Sequence, residues 1–240
     1  MIESTTTTDI RLLATADELA AADDLLRRIW GAPEPVVSLE MLTAIAHSGG
    51  YVAGAFDGRQ LVGASVGFLS RYHDRPALHS HVTGLVGERR GAGMGRRIKL
   101  HQRAWAAEHD VEWITWTFDP LVRSNAWFNI AVLGVDVVEY LPSFYGTMTD
   151  AINAGDESDR LHVAWDVTAP LPERVRDGRG ASDPLLVPTP PAVVELRRTD
   201  PAAVRRWRTT TRNALMAALA ERSPILGFDR QGNYVIGSAP

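Results

Sequence analysis

The residues Arg90-Gly91-Ala92-Gly93-Met94-Gly95 lie between a run that alternates like a strand and a run with helical spacing. Glycines at 91, 93 and 95 let the backbone turn tightly and keep β-carbons out of the path of an approaching ligand. A helix starting at this point aims its first free N–H groups, and the positive end of its dipole, into the loop. That combination makes an anion site, most often for phosphate. Upstream, Leu78-His79-Ser80-His81-Val82-Thr83-Gly84-Leu85-Val86 supplies the strand. Downstream, Met94, Ile98, His101 and Trp105 recur at helical spacing, while Arg96, Arg97, Lys99 and Arg103 take other faces. The chemistry expected here is the grip on a pyrophosphate-bearing cofactor.

Spacing narrows the choice of cofactor. A dinucleotide fingerprint needs G-x-G-x-x-G, and Arg96 or Ile98 stands where its third glycine belongs. A G-x-x-x-x-G-K-[ST] loop is excluded, since Lys99 is the only lysine in the chain. What fits is R-x-x-G-x-G, formed by Arg90, Gly93 and Gly95. This motif resembles the acyl-CoA-binding loop of the GNAT acyltransferase superfamily, which joins that fold's fourth strand to its third helix. A plain glycine turn is the competing reading.

The elements that must position this loop are legible on either side of it. Asp9 to Leu13 reads as a strand, and Thr15 with Glu18 forms a capping box ahead of Leu19, Ala22, Leu25, Leu26 and Ile29, with Gly31 as the stop. Ser38 caps a second helix carrying Met41, Leu42 and Ile45, ended by Gly49-Gly50. Tyr51–Phe56 and Leu61–Leu69 flank an Asp57-Gly58 turn as a hairpin. Val111–Phe118 is apolar on both faces, as a central strand should be, with Trp113 and Trp116 in the core. A helix over Ser124–Leu133, strands over Val135–Tyr140 and Leu161–Val167, and a polar loop between those strands complete a first domain at residues 1–168. Residues 169–190 have linker chemistry, rich in Pro, Arg, Asp and Gly. Residues 191–240 form an extension that docks on the first domain: a strand at Ala192–Leu196, a helix opened by Asp200-Pro201, and a hairpin over Ile225–Ile236 turning at Gln231-Gly232-Asn233. The fold class is α/β, with a mixed, mostly antiparallel central sheet flanked by helices and a small C-terminal strand-helix-hairpin extension.

Composition sets outer bounds. A net charge of −4 gives no reason to expect nucleic acid or an anionic membrane as partner. The absence of cysteine excludes disulfides, thiolate metal sites and a cysteine nucleophile. The polar, Thr-rich stretch Met1 to Asp9 lacks the features of a signal peptide, so the expected location is cytoplasmic. The 24 arginines beside one lysine read as a compositional bias, not as function.

A closer resemblance reaches nearly the whole chain. Phe118-Asp119-Pro120-Leu121, Asn125-Ala126-Trp127-Phe128-Asn129-Ile130, Leu133-Gly134 and Tyr140-Leu141-Pro142-Ser143-Phe144-Tyr145-Gly146 are similar to a bacterial group of predicted GNAT acetyltransferases with a C-terminal extension. Ala154-Gly155, Ser158-Asp159-Arg160-Leu161, Trp165, Thr199-Asp200-Pro201, Trp207-Arg208, Arg212 and Gly227-Phe228 continue the likeness. The resemblance implies acyl transfer from acetyl-CoA or another acyl-CoA, such as succinyl-CoA, to the amine of a small molecule or amino acid, without a metal. It is also compatible with a homodimer paired at a strand edge, or with a non-catalytic acyl-CoA-binding or regulatory module.

The resemblance assigns roles residue by residue. Backbone N–H groups from Gly91 through Ala92, Gly93 and Met94 to Gly95 would hold the pyrophosphate, with Arg90 at the loop entry and Arg96 just inside the helix. Leu85 and Val86 would offer main-chain hydrogen bonds to the pantetheine arm, and Gly84 is where the strand would bulge. Asn125 and Asn129 would contact the CoA arm, although Asn125 serves equally well as a helix cap. Direct attack by an amine calls for a base. His79 and His81 are the candidates and share a strand face with Thr83; each is also readable as a structural histidine. Relatives place an acidic tyrosine where this chain has Ile130, which leaves Tyr140 or Tyr145 as substitutes or as packing residues. Arg205, Arg206, Arg208 and Arg212 read as a solvated face or as partners of acidic neighbours, one of which could hold an acceptor carboxylate.

Overall fold

The computed structural model describes residues 8–87, 93–146 and 156–238. The chain divides into two compact units, Met1–Thr115 and Trp116–Pro240. The first unit contains β1 (Thr8–Leu12), α1 (Ala16–Trp30), α2 (Leu39–His47), β2 (Tyr51–Asp57), β3 (Gln60–Tyr72), β4 (Arg75–Leu85), α3 (Met94–Glu108) and the start of β5 (Trp113–Phe118). Its strands run in the order β1-β2-β3-β4-β5, antiparallel except for the parallel pair β4–β5.

Local chemistry explains the framework. The Thr15 hydroxyl accepts from the Glu18 N–H at 3.3 Å, and the Glu18 carboxylate accepts from the Thr15 N–H at 3.2 Å. This reciprocal cap is worth about 1 kcal/mol. It sets α1 so that Leu19, Ala22, Leu25 and Leu26 bury against Val52, Ala64, Val66 and Val82 together with Leu42 and Ile45 of α2. The opposite sheet face meets α3, where Met94 and Ile98 pack on Ala55 and Val62. β3 and β4 run several residues further than the sequence suggested, because His73 and Asp74 take φ of 46° and 59° and close a tight hairpin.

The second unit holds the rest of β5, then α4 (Arg123–Ala126), a π-helix over Trp127–Leu133, β6 (Asp136–Leu141), β7 (Arg160–Asp166), β8 (Leu185–Pro188), α5 (Val193–Thr199), α6 (Pro201–Ala220), β9 (Ile225–Phe228) and β10 (Asn233–Ile236). β7 lies beside β5, β6 beside β7, and β8-β10-β9 form a separate small sheet. The α/β class with its mixed, mostly antiparallel sheet is as expected. Three details of the C-terminal half differ. The strand expected at Ala192–Leu196 is the entry to a helix, because Val193 buries with Leu121 and Val204 in one apolar cluster. Residues expected as linker include β8, which pairs with β10. The helix expected over Ser124–Leu133 is α-helical only at its start and widens to π from Trp127.

A buried ion cluster ties α5 and α6 to the segments after β5 and before β7. Arg208, 2% exposed, donates to Asp156 Oδ1 at 2.9 Å and to Asp119 Oδ1 at 3.2 Å. Arg197 donates to Asp156 Oδ2 at 2.9 Å and also reaches Asp119. Arg212 and Tyr140 both donate to Asp159 Oδ2, at 2.8 and 2.6 Å. Burial alone would raise the carboxyl pKa of Asp156 and Asp159, and the guanidinium hydrogen bonds outweigh it and hold both below the usual value. A carboxylate depressed in the folded state stabilises the fold above its unfolded pKa of about 3.9, and this stabilisation is lost as pH falls through the folded value. Melting temperature should therefore hold steady from neutrality to about pH 5 and fall below about pH 4. Thermal melts followed by circular dichroism check this; equal melting temperatures at about pH 6 and pH 3 would refute it.

Candidate active site

β4 pairs in parallel with β5 at Ala77↔Trp113, Leu78↔Ile114 and His79↔Thr115. On its other edge the antiparallel ladder to β3 slips once. Val66 faces Val82 while Gly67 faces Ser80, so His81 is the extra residue of a bulge. The bulge expected at Gly84 is thus three residues earlier. Gly84 stays in register with Ala64 and is glycine for a different reason: a β-carbon there would sit 2.5 Å from Cζ3 of Trp30.

An inserted residue inverts the alternation of side chains beyond it. Thr83, expected beside the histidines, turns instead toward α3. Its hydroxyl lies 2.8 Å from Ser65 Oγ, which also accepts from Gln102 Nε2 of α3 at 3.5 Å. His79 and His81 stay together around Phe68 of β3, whose ring centroid is 5.0 Å from one imidazole and 6.0 Å from the other. His79 Nδ1 lies 3.4 Å from the Thr115 hydroxyl. His81 is exposed, and partial desolvation lowers its pKa below the usual histidine value. A lowered pKa favours the neutral imidazole, the form that can accept a proton.

Of the loop residues, Arg90, Gly91 and Ala92 lie outside the described residues. Gly93 is the N-cap of α3 with φ of 76°, a conformation that favours glycine, and a β-carbon on it would meet nothing within 4 Å. Met94 is buried under the sheet, Gly95 is half-buried and Arg96 is exposed. Among the described residues no side chain caps this helix, and its first turn holds no acidic residue. Val86 donates its N–H to the Val62 carbonyl at 3.0 Å, which commits that donor to β3 and takes it away from a ligand. By ladder alternation, Leu85 directs its peptide groups to the edge away from β3.

In the second unit, Asn125 is exposed and lies inside α4, whose N-cap is Val122, so the capping role falls away. Asn129 is buried in the π-helix, with its side-chain oxygen accepting from Trp116 Nε1 at 3.2 Å. Ile130 is fully buried. Tyr140 is buried with its hydroxyl on Asp159, and burial pushes its pKa up, which makes it a structural phenol. Tyr145 is 46% exposed, with its hydroxyl 3.4 Å from Thr117 Oγ1 and the Arg160 guanidinium 5.2 Å from its ring centre. Arg205 and Arg206 are solvated, whereas Arg208 and Arg212 are committed to the chain's own carboxylates and are not placed to receive an acceptor's.

No family model and no curated protein matches the sequence. Solved structures match the fold. An aminoglycoside 6'-acetyltransferase type Ii is 20% identical with a TM-score of 0.53, covering 68% of this chain and 99% of its own. FeeM, an N-acyl amino acid synthase from uncultured soil microbes, is 14% identical with a TM-score of 0.52, over 68% of this chain and 92% of its own. Naa50 of Arabidopsis thaliana, in complex with the bisubstrate analogue CoA-Ac-MVNAL, is 14% identical with a TM-score of 0.52, over 66% and 98%. The chain has the GNAT fold.

Within this GNAT fold, sequence reasoning missed the polar residues beneath the bulge. Lys99, read as part of a polar helix face, is 4% exposed and donates to Ser80 Oγ at 2.8 Å and to Gln102 Oε1 at 3.1 Å. The available signal was its singularity: where every other basic position is arginine, one lysine stands among apolar helix residues. Phe68 was also missed, since an aromatic residue near the end of a strand carries no mark of the two imidazoles it will meet.

Proposed function

We propose that this GNAT-fold chain transfers an acyl group, acetyl or succinyl, from acyl-CoA to the amine of a small molecule or amino acid. The observation that carries the reading is the start of α3, which has no side-chain cap among the described residues and opens on a left-handed glycine whose β-carbon would meet nothing within 4 Å. Backbone N–H groups there suit a pyrophosphate, and exposed Arg96 and Arg97 add positive charge. The solved structures that share the fold include one holding a CoA bisubstrate analogue and one named as an N-acyl amino acid synthase, which supports both the donor and an amino acid as acceptor.

In this reading Gly93, Met94, Gly95 and Arg96 hold the pyrophosphate, and the peptide groups of Leu85 line the pantetheine arm, while the Val86 N–H is taken by Val62. Asn125 and the amide nitrogen of Asn129 are the second unit's candidates for CoA contacts. His81, at the bulge and exposed, takes the proton of the attacking amine, and His79 orients beside it through Phe68 and Thr115. Tyr145 is the candidate proton donor to the departing thiolate. A second reading, an acyl-CoA-binding module without turnover, is favoured by one observation: the position that relatives give to tyrosine is Ile130, buried in the core.

Calorimetric titration with acetyl-CoA, succinyl-CoA and free CoA, with ATP and NAD as controls, tests the proposal. One acyl-CoA should bind with micromolar affinity and ahead of free CoA, and should turn over on an amine panel. His81→Gln should keep that affinity while turnover falls by about 100-fold, within the usual range for a lost general base. Binding without turnover would select the module, and no CoA binding by the folded protein would remove both readings.

A further inference from the structure

The bulge at His81 leaves one residue of β4 outside the β3 ladder, so main-chain pairing alone does not fix its geometry. The two residues that flank it toward α3 are both anchored. Ser80 Oγ accepts from Lys99 Nζ at 2.8 Å, and Thr83 Oγ1 lies 2.8 Å from Ser65 Oγ. Lys99 and Gln102, three apart on one face of α3, join the two anchors: Lys99 Nζ donates to Gln102 Oε1 at 3.1 Å, and Gln102 Nε2 donates to Ser65 Oγ at 3.5 Å. The hydrogen bonds and the backbone from Ser80 to Thr83 thus form a closed circuit around the bulge. Ser65, Ser80, Lys99 and Gln102 are each less than 5% exposed.

We infer that Lys99 is a positioning residue for acyl transfer, holding the β4 bulge, and with it His81, in register with α3. The inference rests on the reading of His81 as the base. Lys99 lies on the helix whose first turn is assigned to the pyrophosphate, so the circuit couples the donor's helix to the strand that presents the base. The residue type fits the task. Burial lowers the Lys99 pKa to about 7, and its compact amine donates to both Ser80 Oγ and Gln102 Oε1. An arginine, the basic residue used at all 24 other positions, would present a planar fork in place of a point donor with three rotatable hydrogens.

Lys99→Met keeps the length of the side chain and removes its donors. At saturating acyl-CoA, kcat is expected to fall about tenfold or more, while the KM for acyl-CoA changes by less than about threefold and the melting temperature stays within a few degrees. The imidazole resonances of His81, read by ¹⁵N-labelled NMR, are expected to shift, which a packing role distant from the bulge would not produce. Unchanged kcat, or His81 resonances that superimpose on those of the wild type, overturns the inference. If Lys99→Met does not fold, Ser80→Ala removes the same hydrogen bond with a smaller change, and the same readings decide. If the wild type acylates no amine, the functional reading falls, and the His81 resonances alone then decide whether Lys99 sets the bulge.

Discussion

Gly95→Asp will lose about 100-fold or more in acyl-CoA affinity while melting at or above the wild-type temperature. Gly95 is the second residue of α3, two positions after the left-handed N-cap Gly93. A carboxylate in the first turn of a helix complements the dipole and stabilises it by about 0.3–1 kcal/mol, and replacing glycine raises helix propensity as well. The same carboxylate repels a pyrophosphate and competes for the N–H groups that would bind it. Loss of one or two charge-assisted hydrogen bonds, at about 1.5–3 kcal/mol each, corresponds to roughly 10- to 10⁴-fold in affinity. Opposite signs on stability and binding separate a ligand site from a structural turn. Calorimetry and a thermal melt on one preparation read both, and undiminished affinity would take the glycine turn out of the site.

Arg208→Ala will destabilise the chain by about 3–5 kcal/mol, because it leaves Asp119 and Asp156 buried with part of their counter-charge gone. For a chain of this size that corresponds to a fall of roughly 10 °C in melting temperature. Arg206→Ala is the matched control. It lies two residues away on the same helix, is exposed, and approaches Asp200 only at 3.9 Å, so its change should stay within about 1 kcal/mol. Urea unfolding of the two variants beside the wild type measures the contrast. Equal losses would mean that the buried cluster contributes nothing specific.

What was legible in the sequence were the features encoded over short range. The capping box of Thr15 and Glu18, the left-handed stop at Gly31 and the hairpin between β2 and β3 are decided by neighbours within a few residues, and all are present. The class of the fold followed from the order of such elements. Features decided by distant partners were not legible. The register slip at His81 depends on β3, so the strand's own alternation placed Thr83 on the wrong face. Val193 and Val194 are strand-forming residues that became helical because Val193 packs beside Val204 and Leu121. A charged residue is expected at the surface, and nothing near Arg208 in the sequence announces carboxylates 89 and 52 residues before it.

Those separations also set a timetable for the growing chain. A ribosome adding about 5–20 residues per second makes Asp119 roughly 4 to 18 s before Arg208 exists to meet it. The capping and hairpin contacts of the first 115 residues are all between residues already made by then. The second unit cannot complete its small sheet until residues 233–236 are made, because β8 waits for β10. A chain stopped within α6 before Arg208 would therefore leave Asp119 and Asp156 without that guanidinium and β8 without its partner strand.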